Sequence, residues 1–368
     1  MKIHIITGHF HPQIHPRAFR SRELAVELAR RGHDVTISNC WTINGFNYDQ
    51  YAKDNNFKIN NLELFCTEPN NAGINSSKKS IVKRKLDFLK EYLLAGSVLF
   101  RSRILADKLD IDDDTDIVIA LSTPFTCLLG LSLYIKRKQK SFFVIGDSGD
   151  PFYYSKQSSK APWFKPIEKW VYQHFNYLCI PTENAIPLYS PLLPAEKIKI
   201  IPQGFRMDNL KLYHGPMGPP VKFAYAGVFY WDIRNPEFLF NYLNRLDRDF
   251  EFHLYMRALD PRVEDYLKDK PVLKSKIRVA SLPHDELIYE LSKMDFLINI
   301  ENVSNTQMPS KLIDYGMAGR PIFSCKKDTF SPLLFNEFME GNYTAQYEVD
   351  IKQYDIRNIV DKFLSLKK

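Results

Sequence analysis

The chain has 368 residues, 45% hydrophobic and 25% charged, with a net charge of +7. This length supports two core-bearing domains, the composition is ordinary for a globular protein, and the modest positive charge points to an anionic partner without implying nucleic acid. No run of 18 apolar residues exists, which excludes a membrane-spanning helix, and the opening segment turns polar too early for a signal peptide.

Short apolar runs alternate with helical patterns, the mark of parallel α/β architecture. In the first half, residues 3–7, 34–38, 117–121, 142–145 and 177–180 read as strands, and 17–31 and 162–175 as helices. A short strand from residue 198 runs into a turn at Pro202-Gln203-Gly204. The Pro/Gly-dense stretch 213–220 reads as a linker. Beyond it, strands are expected at 221–226, 250–255, 277–280, 296–300 and 322–325, with helices at 236–246, 284–294 and 309–319. The apolar spacing of 351–366 predicts an amphipathic terminal helix. The reading is α/β with two open parallel-sheet domains and ligands beyond the C-terminal strand ends. Residues 1–205 form the first domain, 206–350 the second, and 351–368 a closing helix. The five cysteines are scattered without Cys-x-x-Cys spacing, so buried free thiols in a reducing cytoplasm are expected and a zinc site is not.

The helix at 309–319 carries the strongest chemical signal. Pro309 suits the first helical position and Gly319 with Pro321 ends the helix. Free N–H groups at Ser310 and Lys311 suit phosphate, and Lys311 adds a full charge. Asp314 lies one turn on, about 6 Å along the axis, within reach of a ribose hydroxyl pair. The loop after the first strand, Gly8-His9-Phe10-His11-Pro12, is a second anion site, which makes Gly8 a diphosphate contact. Arg17 and Arg20 sit in the first turn of the next helix, where the dipole disfavours cations, so an anionic partner is expected there. His11, Arg17 and Arg20 are read as acceptor contacts. The histidines at 9, 11 and 15 lack a second cluster to complete a metal site, and none is expected.

Asp147 and Asp150 follow a strand end and are the catalytic candidates, able to take a sugar or acceptor hydroxyl. The acidic run 110–116 precedes a strand and reads as a solvated turn. Arg234 stands ahead of a helix with its guanidinium available to phosphate. Leu282 and His284, after another strand, are placed for a nucleobase. The basic stretch 78–103 carries Val82, Leu86, Leu89 and Leu93 on one face, which suits either an anionic membrane surface or ordinary packing.

Together these segments resemble the family 4 glycosyltransferases, retaining enzymes with the GT-B fold. The resemblance rests on residues 17–36, on Pro202-Gln203-Gly204, on Ala224-Tyr225-Ala226-Gly227, and on Pro309-Ser310-Lys311-Leu312-Ile313-Asp314-Tyr315 followed by Ala318-Gly319-Arg320-Pro321. It implies two Rossmann-like domains facing each other across a cleft. It also implies a nucleoside-diphosphate sugar on the second domain and a saccharide or lipid-linked acceptor on the first. Asp314 takes the place of the ribose-gripping glutamate. Thr306 replaces the other motif glutamate, Gly146 the family histidine, and His15-Pro16 the usual glycine pair. The resemblance implies no cofactor or metal, since fixed cations meet the leaving-group charge. It implies a cytoplasmic setting, with inner-membrane surface contact through residues 78–103 as one reading. A sugar-nucleotide epimerase or hydrolase, or a non-catalytic binding subunit, is the alternative.

Overall fold

The computed structural model describes residues 1–13, 15–67, 92–93, 97–154, 160–208, 210–229, 231, 234–256, 258–301 and 311–367. The chain divides into two units, Met1–Arg206 with Gln353–Lys368, and Met207–Lys352. The Pro/Gly-rich stretch read as a linker therefore lies inside the second unit. Its Tyr213 N–H donates to Ser292 Oγ at 2.8 Å.

In the first unit β1 (Lys2–Thr7) leads to α1 (Pro16–Arg30), β2 (Asp34–Ile43), α2 (Tyr48–Asp54) and β3 (Lys58–Thr67). Then come α3 (Val98–Lys108), β4 (Ile117–Leu121), α4 (Thr126–Lys138) and β5 (Val144–Asp147). The unit continues with α5 (Phe164–Gln173), β6 (Tyr177–Ile180), α6 (Ile186–Tyr189) and β7 (Ile198–Ile200). The seven strands are parallel in the order β3-β2-β1-β4-β5-β6-β7. Helices cover both faces, which is why β1 and β4 are buried on both sides rather than alternating.

Absent from the sequence reading are α2, β3, α4 and α6, while α3 overlaps only the end of the basic stretch 78–103. Strand β3 lies at the sheet edge, where polar residues such as Asn60 and Asn61 are tolerated. Helix α4 is apolar nearly all round because it is buried, so it lacks an amphipathic period. Strand β5 begins two residues later than expected, which makes Asp147 its last residue, opposite Leu121 and Cys179.

The second unit runs β8 (Val221–Ala226), α7 (Glu237–Leu243), β9 (Phe250–Tyr255), α8 (Pro261–Leu267), α9 (Pro271–Ser275) and β10 (Ile277–Ala280). It ends with α10 (His284–Leu291), β11 (Phe296–Ile300), α11 (Lys311–Ala318), β12 (Ile322–Cys325) and α12 (Pro332–Met339). Its five strands are parallel in the order β10-β9-β8-β11-β12. The core is unusually aromatic: Phe223, Phe252, Phe296, Phe323, Phe335 and Phe338 pack together.

The terminal helix is shorter than 351–366. A 3₁₀ turn, Ile351–Tyr354, precedes α13 (Ile356–Ser365), whose N-cap Asp355 accepts from the Arg357 N–H. Ile356, Ile359, Val360 and Phe363 of α13 pack into the first unit's core with Leu24, Leu28 and Ile201.

Candidate functional site

In open parallel sheets a crevice forms beyond the strand ends where the strand order reverses. The first unit reverses between β1 and β4. Gly8 follows β1 there, but the space above it is filled. A Cβ at this position would lie 2.0 Å from Pro124 Cδ. Close packing against Pro124 accounts for the glycine without a ligand.

Three neighbouring residues also have a role different from the expected one. Arg17 and Arg20, one turn apart on α1, both pair with Asp147, which is 1% exposed. Arg20 Nε donates to Asp147 Oδ2 at 2.7 Å, and its remaining nitrogens reach the carbonyls of Ile201 and Pro202. Arg17 donates to the Ser122 and Asp147 carbonyls at 3.2 and 2.7 Å. Burial alone would raise the Asp147 carboxyl. The guanidiniums of Arg20 and Arg17 outweigh it and hold the group below the usual carboxylate range. The anionic partner expected for the arginines is this internal carboxylate. Asp147, Arg17 and Arg20 form a closed ion cluster that ties α1 to the strand ends, not free groups awaiting substrate. Asp150, three residues on, is exposed.

His11 is half-buried between Tyr51, stacked at 4.4 Å, and Phe46, edge-on at 5.1 Å. Both of these ring neighbours belong to the protein. Position 146 has no room for the family histidine: a Cβ on Gly146 would lie 2.6 Å from the Phe175 ring and 2.9 Å from Leu178.

The second unit reverses between β8 and β11, and here the expected residues converge. Tyr315 on α11 accepts from the Ala226 N–H at 2.8 Å and donates to the Ile298 carbonyl at 3.0 Å, which locks the helix over the gap. Gly227, at φ 124°, turns the chain away from β8 in a conformation that favours glycine. Lys311, the first residue of α11, is only 6% exposed. Its Nζ donates to the Ile300 carbonyl at 3.2 Å and lies 4.3 Å from the Tyr225 ring centre. Burial first, and then the charge of Arg234, push the Lys311 ammonium well below the usual lysine range. No carboxylate pairs with Lys311 among the described residues. Two cations therefore meet at the strand ends, one of them buried without an anionic partner.

Asp314 stands one turn along α11, and its Oδ1 lies 2.9 Å from His284 Nε2 at the start of α10. The expected ribose and base contacts are thus adjacent, with Leu282 half-buried just before them. Ser310, Thr306 and Asp232 lie outside the described residues, as do 78–91 and 94–96 of the basic stretch. The sequence reading missed Tyr315 and Tyr225, because aromatics on apolar faces signal core rather than a site floor.

Among the described residues no helix is long and apolar enough to cross a membrane, and no group of three His, Cys, Asp or Glu side chains is placed to hold a metal. The acidic run is tied to lysines at the surface: Asp114 to Lys2 at 2.5 Å and Asp116 to Lys367 at 3.0 Å. Cys40, Cys127, Cys179 and Cys325 are buried free thiols.

No family model matches the chain, and no curated protein matches it. Solved structures do. A glycosyltransferase from Rickettsia africae ESF-5 superposes with a TM-score of 0.63 at 13% identity, covering 100% of this chain and 97% of that one. Anabaena HepE, solved in complex with UDP, gives 0.60 at 10% identity over 99% of both chains. The lipopolysaccharide outer core galactosyltransferase WaaB, in its apo form, gives 0.59 at 14% identity over 100% and 99%. With its two Rossmann-like parallel sheets, the chain has the GT-B fold of these glycosyltransferases.

Proposed function

We propose that the chain is a glycosyltransferase that moves a sugar from a nucleoside-diphosphate donor to a saccharide or lipid-linked acceptor, with retention of configuration. The observation that carries this reading is the buried Lys311 beside Arg234 at the strand-order reversal of the second unit, with no carboxylate paired to it among the described residues. A diphosphate would supply the missing negative charge. The UDP held by HepE, a protein of the same fold, supports this choice of ligand.

In this reading Arg234, Lys311 and the α11 N-terminus stabilise charge growing on the departing diphosphate. Asp314 accepts the ribose hydroxyls, and Leu282 and His284 flank the base. The bond between the anomeric carbon and the diphosphate oxygen breaks while the acceptor oxygen bonds the same face. The acceptor proton passes to the departing phosphate oxygen. Asp150, the exposed acid of the pair named from the sequence, is the group left to contact a hydroxyl. The fixed cations take the role of a divalent ion, so activity should survive chelation with EDTA. A lipid-linked acceptor would place the enzyme at the cytoplasmic face of the inner membrane.

A thermal-shift screen of nucleoside diphosphates and their sugars tests the reading, because ligand binding to the folded state raises its apparent stability. At least one nucleoside diphosphate should raise the melting temperature and its sugar should be consumed only with an acceptor. No shift from any of them at millimolar concentration would overturn it. Consumption without acceptor would favour an epimerase or hydrolase. Binding without turnover would favour a non-catalytic subunit.

A further inference from the structure

Arg17 and Arg20 are answered by Asp147, and His11 packs between Tyr51 and Phe46. The same strand-end edge of the first unit carries a different set of polar groups. His9 and His15, from the loop after β1, stack with ring centres 4.1 Å apart and planes inclined by 21°. His9 stacks in turn on Trp41 of β2 at 4.9 Å, and Trp41 on Phe65 of β3 at 5.1 Å. The Arg101 guanidinium of α3 caps Phe65 at 4.0 Å. An imidazole is too small to hold two rings on one face, so His9 is covered on both faces and meets any ligand through its edge.

The hydrogen bonds assign those edges. Arg17 N–H donates to His15 Nδ1 at 3.2 Å. His15 Nδ1 therefore carries no proton, and in the neutral ring Nε2 is the donor. Gln13 Nε2 donates to the Trp41 carbonyl at 3.0 Å, which leaves its Oε1 facing His9 Nδ1 at 2.6 Å. His9 Nδ1 must then donate, and its Nε2 is an acceptor. Burial lowers both pKa values, His15 to about 4, so both rings are neutral at physiological pH. Neither Nε2 has a hydrogen-bond partner among the described residues, and neither is a buried orphan. The edge thus presents one acceptor and one donor. With ring centres 4.1 Å apart, the two Nε2 atoms are close enough for hydroxyls of one pyranose, each at hydrogen-bond distance, to reach both.

We infer that His9 Nε2 and His15 Nε2 form a hydroxyl-pair subsite for a saccharide: one sugar hydroxyl donates to His9 while a neighbouring one accepts from His15. The inference rests on the proposed function for naming the saccharide as acceptor, but the subsite itself is tested without the donor. Stacking on Trp41, the bond to Gln13 and the His15 N-cap hold both rings in place, so little side-chain freedom is lost on binding. Recognition through edges rather than ring faces makes the subsite sensitive to hydroxyl configuration.

The test is titration of the full chain with methyl glycosides of glucose, galactose, mannose and N-acetylglucosamine, and with their disaccharides, followed by ligand-observed NMR. His9→Phe keeps the stack and removes the acceptor. His15→Asn keeps a capping oxygen and removes the donor. At least one glycoside should bind the wild type at millimolar strength, each variant should bind it about tenfold or more weakly, and so should its monodeoxy analogue. The nucleotide-induced thermal shift should stay as in the wild type. Equal glycoside affinity in wild type and both variants, or no glycoside binding at all, overturns the subsite. Loss of glycoside binding in the variants of a protein that binds no nucleotide keeps the subsite and refutes the glycosyltransferase reading.

Discussion

Replacing Lys311 by methionine separates ligand binding from structure. The side chain keeps its length but loses the charge. In the free protein the ammonium is 6% exposed, donates to one carbonyl and lies over Tyr225, close to a second cation. Lys311→Met forfeits one hydrogen bond, about 1 kcal/mol, and a cation–π contact of similar size. It also removes a buried charge without a carboxylate, whose cost is at least comparable. The free protein should therefore melt at the wild-type temperature or above it. Nucleotide binding should move the other way. A charge-assisted bond to phosphate is worth about 1.5–3 kcal/mol, so the Kd should rise roughly ten- to 150-fold. Calorimetric titration with the best nucleoside diphosphate measures this directly. At a pH between the depressed free-state value and the higher one that phosphate restores, the wild type should take up a proton on binding. Its affinity should fall as pH rises from the depressed value toward the ordinary one, and Lys311→Met should flatten that dependence. An unchanged Kd, or a lower melting temperature with full affinity, would refute the reasoning and leave Lys311 a packing residue.

Asp147→Asn removes the shared counter-charge of Arg17 and Arg20 and should destabilise the first unit by about 3–5 kcal/mol, read from urea unfolding. Gly146→His drives a side chain into Phe175 and Leu178, so it should cost about 1–3 kcal/mol and add no activity. His4 is 3% exposed, its ring 2.9 Å from Ser38 Oγ, and burial lowers its pKa from 6.5 to about 4. Below 6.5 the unfolded chain takes up a proton that the folded one refuses, so stability is lost as pH falls from 6.5 to 4, by about 3 kcal/mol in total. His4→Gln should remove most of that slope in urea midpoints measured at pH 7, 5.5 and 4.5.

The strands were legible wherever both faces are buried. The run 117–121 is apolar throughout, and 296–300 apolar but for Asn299, because helices cover both sides of the sheet. The edge strand β3 was not, because its polar residues face a different environment. The stretch 213–220 lies inside the second unit, since Pro/Gly density marks an irregular segment and says nothing about which core it packs on. The second-unit site was readable from Lys311, Asp314 and Arg234, because helix-end chemistry and local spacing follow from sequence. Tyr315 was not, because its hydroxyl joins two strands distant in the chain.

Local sequence determined the repeating strand–helix rhythm, the start of α11 with its cation, and the carboxylate one turn along. Those are short-range properties of backbone and side-chain spacing. Tertiary structure alone decided which charges are answered from within. Arg17 and Arg20 close on Asp147, 127 to 130 residues away, whereas Lys311 is buried beside Arg234 with no carboxylate paired to it among the described residues. An ion pair depends on distances of a few ångströms between groups remote in the chain, and sequence order carries no measure of that distance.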